Sequence, residues 1–293
     1  MTQEELEQQR AALWRTDGNA VRTVEEARGF IERVGFCVNY PERLVPLVPS
    51  FIAAHVGSNA GLPDAKHAYA DPRAQEANEL KVRLLRERSA FEMNLSRESD
   101  LIIAKPAFPY FYALVGDRNP KALPKTKGQG AKISELATSV FAALQQHGPM
   151  TKTQIQEHVG RESSQAALDR ALGELWSILK ITRVDYTASG GASWDVLYRW
   201  APEAVKEGIN ISSQEAISAL VSKYLETVVA AEQDDIEQFF SHLTSRSKVR
   251  DAVNALLQAR ELSFVTIGDK PLVRMAPPQQ DQQPRNQRPR SRN

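Results

Sequence analysis

Residues 166–176, AALDRALGELW, hold the pattern on which the fold turns. Leu168, Ala171, Leu172, Leu175 and Trp176 recur at three- and four-residue intervals, the spacing of one helix face. Ser163 or Ser164 stands where an N-cap belongs, and the stripe continues to Leu179. From Lys180 to Tyr186 the period becomes two: Ile181, Arg183 and Asp185 alternate with Thr182, Val184 and Tyr186. Ser189–Gly190–Gly191 then supplies a hairpin turn into a return strand expected over Ser193–Arg199.

Upstream, a helix expected over Ile133–Gln146 stops at Gly148–Pro149, and Thr151 opens another. Three helices followed by a β-hairpin make a winged helix. The pattern occurs twice, at an offset of 81 residues. That offset carries Leu136, Val140 and Leu144 to Ile217, Val221 and Leu225. It carries Ile155 to Ile236, Val159 to Phe240 and Ser164 to Ser245. The stripe itself becomes Val249, Ala252, Val253, Leu256 and Leu257, and Ile181 and Val184 become Leu262 and Val265. A gapless match across three helices and into a strand defines a structural repeat. Its second wing turns at Gly268–Asp269, before Lys270 and Pro271.

Toward the N-terminus, Gln3–Arg15 reads as a short polar helix. Thr23 and Glu26 form a capping box, Ala27, Phe30, Ile31 and Val34 a stripe, and Gly35 a stop. Phe36–Cys37–Val38 reads as a short buried strand and Pro41–Pro49 as a loop. A helix over Arg73–Arg88 carries Lys81, Arg83, Arg86 and Arg88 against Glu79 and Glu87. The aromatic run Pro109–Leu114 reads as core. Gly116–Gly130 is rich in proline and glycine and bears Arg118, Lys121, Lys125 and Lys127 against Asp117; it suits a tether or a loop tracking phosphates. Pro277–Asn293 has almost nothing apolar to bury and is expected to be a disordered basic tail.

The expected class is mainly α with small β-hairpin wings, an α+β chain of three tandem winged-helix domains. The expected boundaries are a helical extension 1–20, an N-terminal helical, winged-helix-like domain 21–116, a basic linker 117–131, winged helices 132–207 and 208–275, and the tail 276–293.

Composition narrows the function. At 293 residues with a net charge of +1, the chain has no global field for polyanions, so a nucleic-acid partner needs local basic patches. The single cysteine, Cys37, excludes an intramolecular disulfide and a cysteine zinc cage, and fits a reducing cytoplasm. His55, His67, His147, His158 and His242 lack metal-ligand spacing, and neither a phosphate-binding glycine loop nor a dinucleotide fingerprint occurs. No metal and no cofactor are expected. Met1–Arg10 is acidic and glutamine-rich, unlike the basic start of a signal peptide. The apolar stretch Leu44–Val56 is broken by Pro46 and Pro49 and is too short to span a bilayer, so a cytoplasmic, membrane-free location is expected.

In a helix-turn-helix the third helix enters the major groove with its N-terminal turns. The first repeat offers Gln165, Asp169 and Arg170 there, and the more basic second repeat offers Arg246, Lys248 and Arg250. The candidate contacts to double-stranded DNA are therefore Lys81, Arg83, Arg86, Arg118, Lys121, Lys125, Lys127, Gln165, Arg170, Arg246, Lys248 and Arg250. The first wing, Thr187–Ser193, has no basic residue. Winged helices also serve protein contacts, so an interaction scaffold stays open as an alternative.

The run Ala167–Leu175, with Ile181–Thr182–Arg183–Val184 and Tyr198–Arg199–Trp200–Ala201–Pro202–Glu203–Ala204, resembles the AlkZ-like (YcaQ-like) winged-helix family. Phe30–Cys37 and Pro109–Leu114 look like an AlkZ-related branch of it. The resemblance implies three winged-helix units around a DNA-binding concavity, and relatives that excise alkylated or crosslinked bases. Active members carry Gln-x-Gln or Gln-x-Asp soon after an early helix; the matching segment here is Cys37–Val38–Asn39. Cys37 lacks a glutamine's paired donor and acceptor, and Asn39 keeps an amide on a shorter stem. The resulting expectation is a DNA-binding relative without the family's catalytic motif. Its alternative is a glycosylase hydrolysing the N-glycosidic bond of damaged bases, with Asn39 as catalytic residue.

Overall fold

The computed structural model describes residues 1–42, 47–63, 68, 70–95, 100–125, 133–160, 163–187 and 189–277. After α1 (Gln3–Trp14), one element order recurs three times: helix, short strand, helix, helix, strand, strand. The first unit comprises α2 (Val24–Val34), β1 (Phe36–Val38), α3 (Phe51–Val56), α4 (Pro72–Arg86), β2 (Ala90–Asn94) and β3 (Asp100–Ala104). Helix α5 (Phe108–Val115) leads to the second: α6 (Glu135–His147), β4 (Met150–Thr151), α7 (Lys152–Val159), α8 (Gln165–Ser177), β5 (Ile181–Thr187) and β6 (Gly191–Val196). Helices α9 (Leu197–Trp200) and α10 (Pro202–Asn210) precede the third: α11 (Ser213–Val228), β7 (Ala230–Ala231), α12 (Gln233–Phe240), α13 (Arg246–Gln258), β8 (Leu262–Ile267) and β9 (Lys270–Met275). Each unit closes a three-stranded antiparallel sheet whose last strand lies in the middle, in the orders β1-β3-β2, β4-β6-β5 and β7-β9-β8.

Local chemistry sets the boundaries. The capping box at Thr23 and Glu26 forms, and Gly35 ends α2 at φ +77°, where a Cβ would strike the Lys223 side chain. Thr151 and Gln154 form a second box, and Ser164 caps α8 through the Ala167 amide. The return strand of the second unit is shorter than the alternation predicts. It stops at Val196 because Leu197–Trp200 turns helical, with Arg199 held by Asp195 and the carbonyls of Leu144 and Gln145.

The first sheet is buried on both faces. Phe36, Val38, Phe91, Met93, Leu101 and Ile103 point into a core shared with α5 and the third unit. Phe36 meets Phe111 edge-on at 5.3 Å and stacks on Phe239 at 5.2 Å. The alternate residues, Cys37, Ala90, Ile102 and Ala104, pack on the first unit's own helices. The aromatic run 109–114 is thus core, as its density predicts.

Two segments are tied to the rest of the chain by contacts the sequence does not show. In helix α1, Leu6 is buried, Arg10 donates to the carbonyls of Val228 and Ala230, and the Trp14 indole donates to Thr227 O. The bonds to Thr227 and Val228 satisfy carbonyls at the end of α11 that have no partner in the helix, and the bond to Ala230 reaches into β7. The expected linker is likewise tied down over its described part. The buried Lys180 ammonium pairs with Asp117 at 2.8 Å and donates to the carbonyls of Asn119, Pro120 and Ala122. An interior ammonium needs such a full set of acceptors, and the chain folds around it to provide them.

Candidate functional site

Strand β1 follows α2 directly, which fixes where its side chains point. Cys37 is fully buried, and desolvation pushes its thiol well above the ordinary range, with nearby Lys81 opposing only in part. It is a core residue and no nucleophile. Asn39, two residues on, emerges half-buried at the strand's end. Its backbone N–H donates to Asp100 O at 3.1 Å, and its backbone carbonyl accepts from Ile52 N at 3.1 Å.

That first bond places Asn39 opposite Asp100, and Asp100 in turn lies opposite Asn94 on β2. Directly opposed residues of antiparallel strands project on one face. Asn39, Asp100 and Asn94 therefore form a polar row across the sheet end, all three half-buried. One row inward lie Cys37, Ile102 and Glu92.

A charge cluster buttresses this row. Arg183, from β5 of the second unit, donates to Asp100 Oδ2 at 2.7 Å and lies 3.5 Å from Glu92 Oε2. Its guanidinium rests 4.2 Å from the Trp176 ring centroid and 5.1 Å from that of Trp194. Lys81 pairs with Glu92 at 2.8 Å, with both side chains buried. Burial alone would raise the Glu92 pKa; the combined pull of Lys81 and Arg183 outweighs it and holds the carboxyl below the ordinary range. Burial likewise opposes the charge on Arg183, but Glu92 and Asp100 outweigh it, so the guanidinium stays protonated. The Trp176 indole donates to Glu92 O, completing the seam between the units.

The predicted DNA contacts separate into distinct groups. Lys81 is corrected: it is buried against Glu92 and cannot reach a phosphate. Arg86 is exposed but bonded to Asp185 at 2.7 Å, because β5 lies along α4. Arg118 is committed to the carbonyls of Ile209 and Ile211 at the end of α10. Arg250 grips the buried Glu237 through two bonds of 2.9 and 2.7 Å. Gln165 donates to Gln156 at 2.6 Å, and Lys121 lies 5.8 Å from the Tyr198 ring centroid. Arg83, Lys125, Arg170, Arg246 and Lys248 are exposed and have no ion-pair partner among the described residues. Lys127 lies outside the described residues.

The two third helices also differ. On α8, Asp169 is neutralised by Lys152 at 2.5 Å. On α13, Ser245 makes no cap bond to the helix; its hydroxyl lies 3.2 Å from Ser247 Oγ. The first turn of α13 therefore lacks a side-chain cap beside Arg246 and Lys248, and uncapped helix amides next to cations suit a phosphate.

Asp100, Asn94, Arg183, Glu92 and Lys152 were missed by sequence reasoning. No signal in the local sequence places Arg183 beside Asp100, because the contact joins strands of different units. Among the described residues, no group of three or more His, Cys, Asp or Glu side chains is placed to hold a metal ion, and no helix is long and apolar enough to cross a membrane.

The sequence profile of the family described as DNA glycosylase AlkZ-like matches residues 60–292. The matched segment begins after Asn39 and includes Asn94, Asp100 and Arg183. Among solved structures, the DNA glycosylase AlkZ of Streptomyces sahachiroi is similar at a TM-score of 0.58 and 14% identity, over 92% of this chain and 69% of that one. At that identity the likeness is one of fold. No curated protein matches the chain.

Proposed function

Because the chain belongs to the AlkZ-like DNA glycosylase family, we propose that it binds duplex DNA through contacts directed at the phosphate backbone. The observation that carries this reading is the start of α13, where exposed Arg246 and Lys248 flank amides without a side-chain cap. We read the three units as winged helices, over 21–116, 132–207 and 208–275, preceded by the extension 1–20. The segment 117–131 joins the first two, and 276–293 forms a basic tail. In this architecture the third helix presents its N-terminal turns to the groove. In the unit-one counterpart, α4, Lys81 and Arg86 are taken up by Glu92 and Asp185, which leaves α13 as the better-equipped helix. Duplex affinity measured against salt concentration tests the proposal. A falling affinity with a steep log–log slope is expected; a flat dependence, or no binding at low salt, rejects it.

A second reading, hydrolysis of the N-glycosidic bond of an alkylated base, is favoured by the position of Asn39. That residue is half-buried just past the end of β1, opposite Asp100, whereas Cys37 is sealed in the core. Incubation with alkylated duplex and detection of abasic sites tests it. Binding without base release rejects the second reading and leaves the first intact.

A further inference from the structure

We propose that Asp100 is the proton acceptor for this excision reaction, that Asn39 and Asn94 flank it as the two water- and sugar-orienting amides, and that Arg183 is its positioning residue. The proposal rests on the second reading above. Its observation is the polar row: three strands end in register as amide, carboxylate, amide, on one face. Opposed Cβ atoms lie about 5 Å apart, so each amide stands within reach of a water held at the carboxylate. A carboxamide offers both a donor and an acceptor, which orients such a water without competing for its proton.

Among the described residues, one carboxylate on this face is suited to the task. Glu92 is 1% exposed and enclosed by Lys81 and Arg183. The Asp100 side chain is 24% exposed. Arg183 takes its Oδ2, and Oδ1 has no partner among the described residues. The guanidinium is itself fixed by two tryptophans, so the second unit holds the carboxylate that the first unit presents.

The chemistry balances. The water oxygen bonds to C1′ of the damaged nucleotide, and the water proton passes to Asp100 Oδ1. The C1′–N bond breaks with its electron pair going to the base. A purine made cationic by alkylation leaves neutral and requires no proton from the protein, which suits a row that contains one carboxylate and two amides. The sugar is left as an abasic hemiacetal, and the negative carboxylate also faces the positive charge that builds on the sugar as the bond stretches.

The experiment uses the full chain and a duplex bearing one 7-methylguanine, with single-turnover base release and duplex affinity measured together. In Asp100→Asn, release is expected to fall about 100-fold or more at unchanged affinity, the usual contribution of a positioned base. Asp100→Glu should recover part of the rate. Asn94→Ala should lower release without touching the Arg183 pair, which keeps the row testable if Asp100→Asn unfolds. Arg183→Lys keeps the charge but gives up the fork and the tryptophan stack, so the melting temperature should fall; measured well below that melt, the release rate should drop while duplex affinity holds, a split that a purely structural role would not give. Wild-type binding without release overturns the excision reading itself, and Asp100 falls with it. Wild-type release matched by a folded Asp100→Asn, or by Asn94→Ala, overturns the assignment of the row while the excision reading stands.

Discussion

Replacing Lys81 by Met separates an interior ion pair from a surface cation. The Lys81 ammonium lies 2.8 Å from Glu92 Oε1, with side-chain exposures of 8% and 1%. Methionine keeps the bulk of the chain and removes its charge, leaving Glu92 to Arg183 at 3.5 Å. Deleting one member of a buried pair costs about 3–5 kcal/mol, because the other charge is stranded in the interior. The remaining Arg183 contact places the expectation at the low end, about 3 kcal/mol. At about 2–4 °C per kcal/mol for chains of this size, the melting temperature falls by about 6–12 °C. The double variant Lys81→Met, Glu92→Leu removes the stranded charge and should recover to within about 1 kcal/mol of the parent. Calorimetry and duplex affinity at fixed salt are the assays. A single variant with an unchanged melt and weakened DNA binding would refute the reasoning and restore Lys81 to the surface. The same pair predicts an acid limb. Glu92 lies below its ordinary value of 4.5 in the folded state. Its stabilisation is therefore complete above the unfolded value and lost as pH falls through the folded one. Glu92→Gln should flatten that limb.

Three further outcomes follow from the same geometry. Arg246→Ala with Lys248→Ala should weaken duplex binding and reduce the salt slope by about 1.8, at about 0.9 per lost phosphate contact. Arg250→Ala should instead lower the melting temperature and leave that slope unchanged, because its guanidinium is bonded to the buried Glu237. Cys37 should resist a thiol reagent in the native protein and react with one equivalent only after unfolding, since burial both hides the thiol and disfavours the thiolate.

The repeat was legible because α8 and α13, α7 and α12, and β5 and β8 begin at residues separated by one constant offset. The first unit follows the same element order but hid from that comparison. Residues 39–50 lie between β1 and α3, whereas Thr151 runs directly into α7. A gapless self-comparison cannot cross that difference. The short strands β4 and β7 were also invisible, since two residues are too few to show alternation. Basic composition on α4 read as a DNA face because a helix with surface-like spacing carries no mark of what will cover it. Packing of β5 along α4 turned Arg86 into an inter-unit tie, and Glu92 drew Lys81 inward.

By itself the sequence determined the local elements: capping boxes, periodic stripes and glycine stops act within a few residues, and a repeat is a property of the chain alone. It determined the strand that carries Cys37 and leads into Asn39, and the basic start of α13. Tertiary structure alone decided which charges remain available. Partners drawn from segments far apart in the chain bury Lys81, commit Arg118 and Arg250, and leave Arg246 and Lys248 exposed. It alone assembled Asn39, Asp100 and Asn94, because strand register is set by pairing between residues tens of positions apart, and the energy that fixes it comes from burying both faces of the sheet.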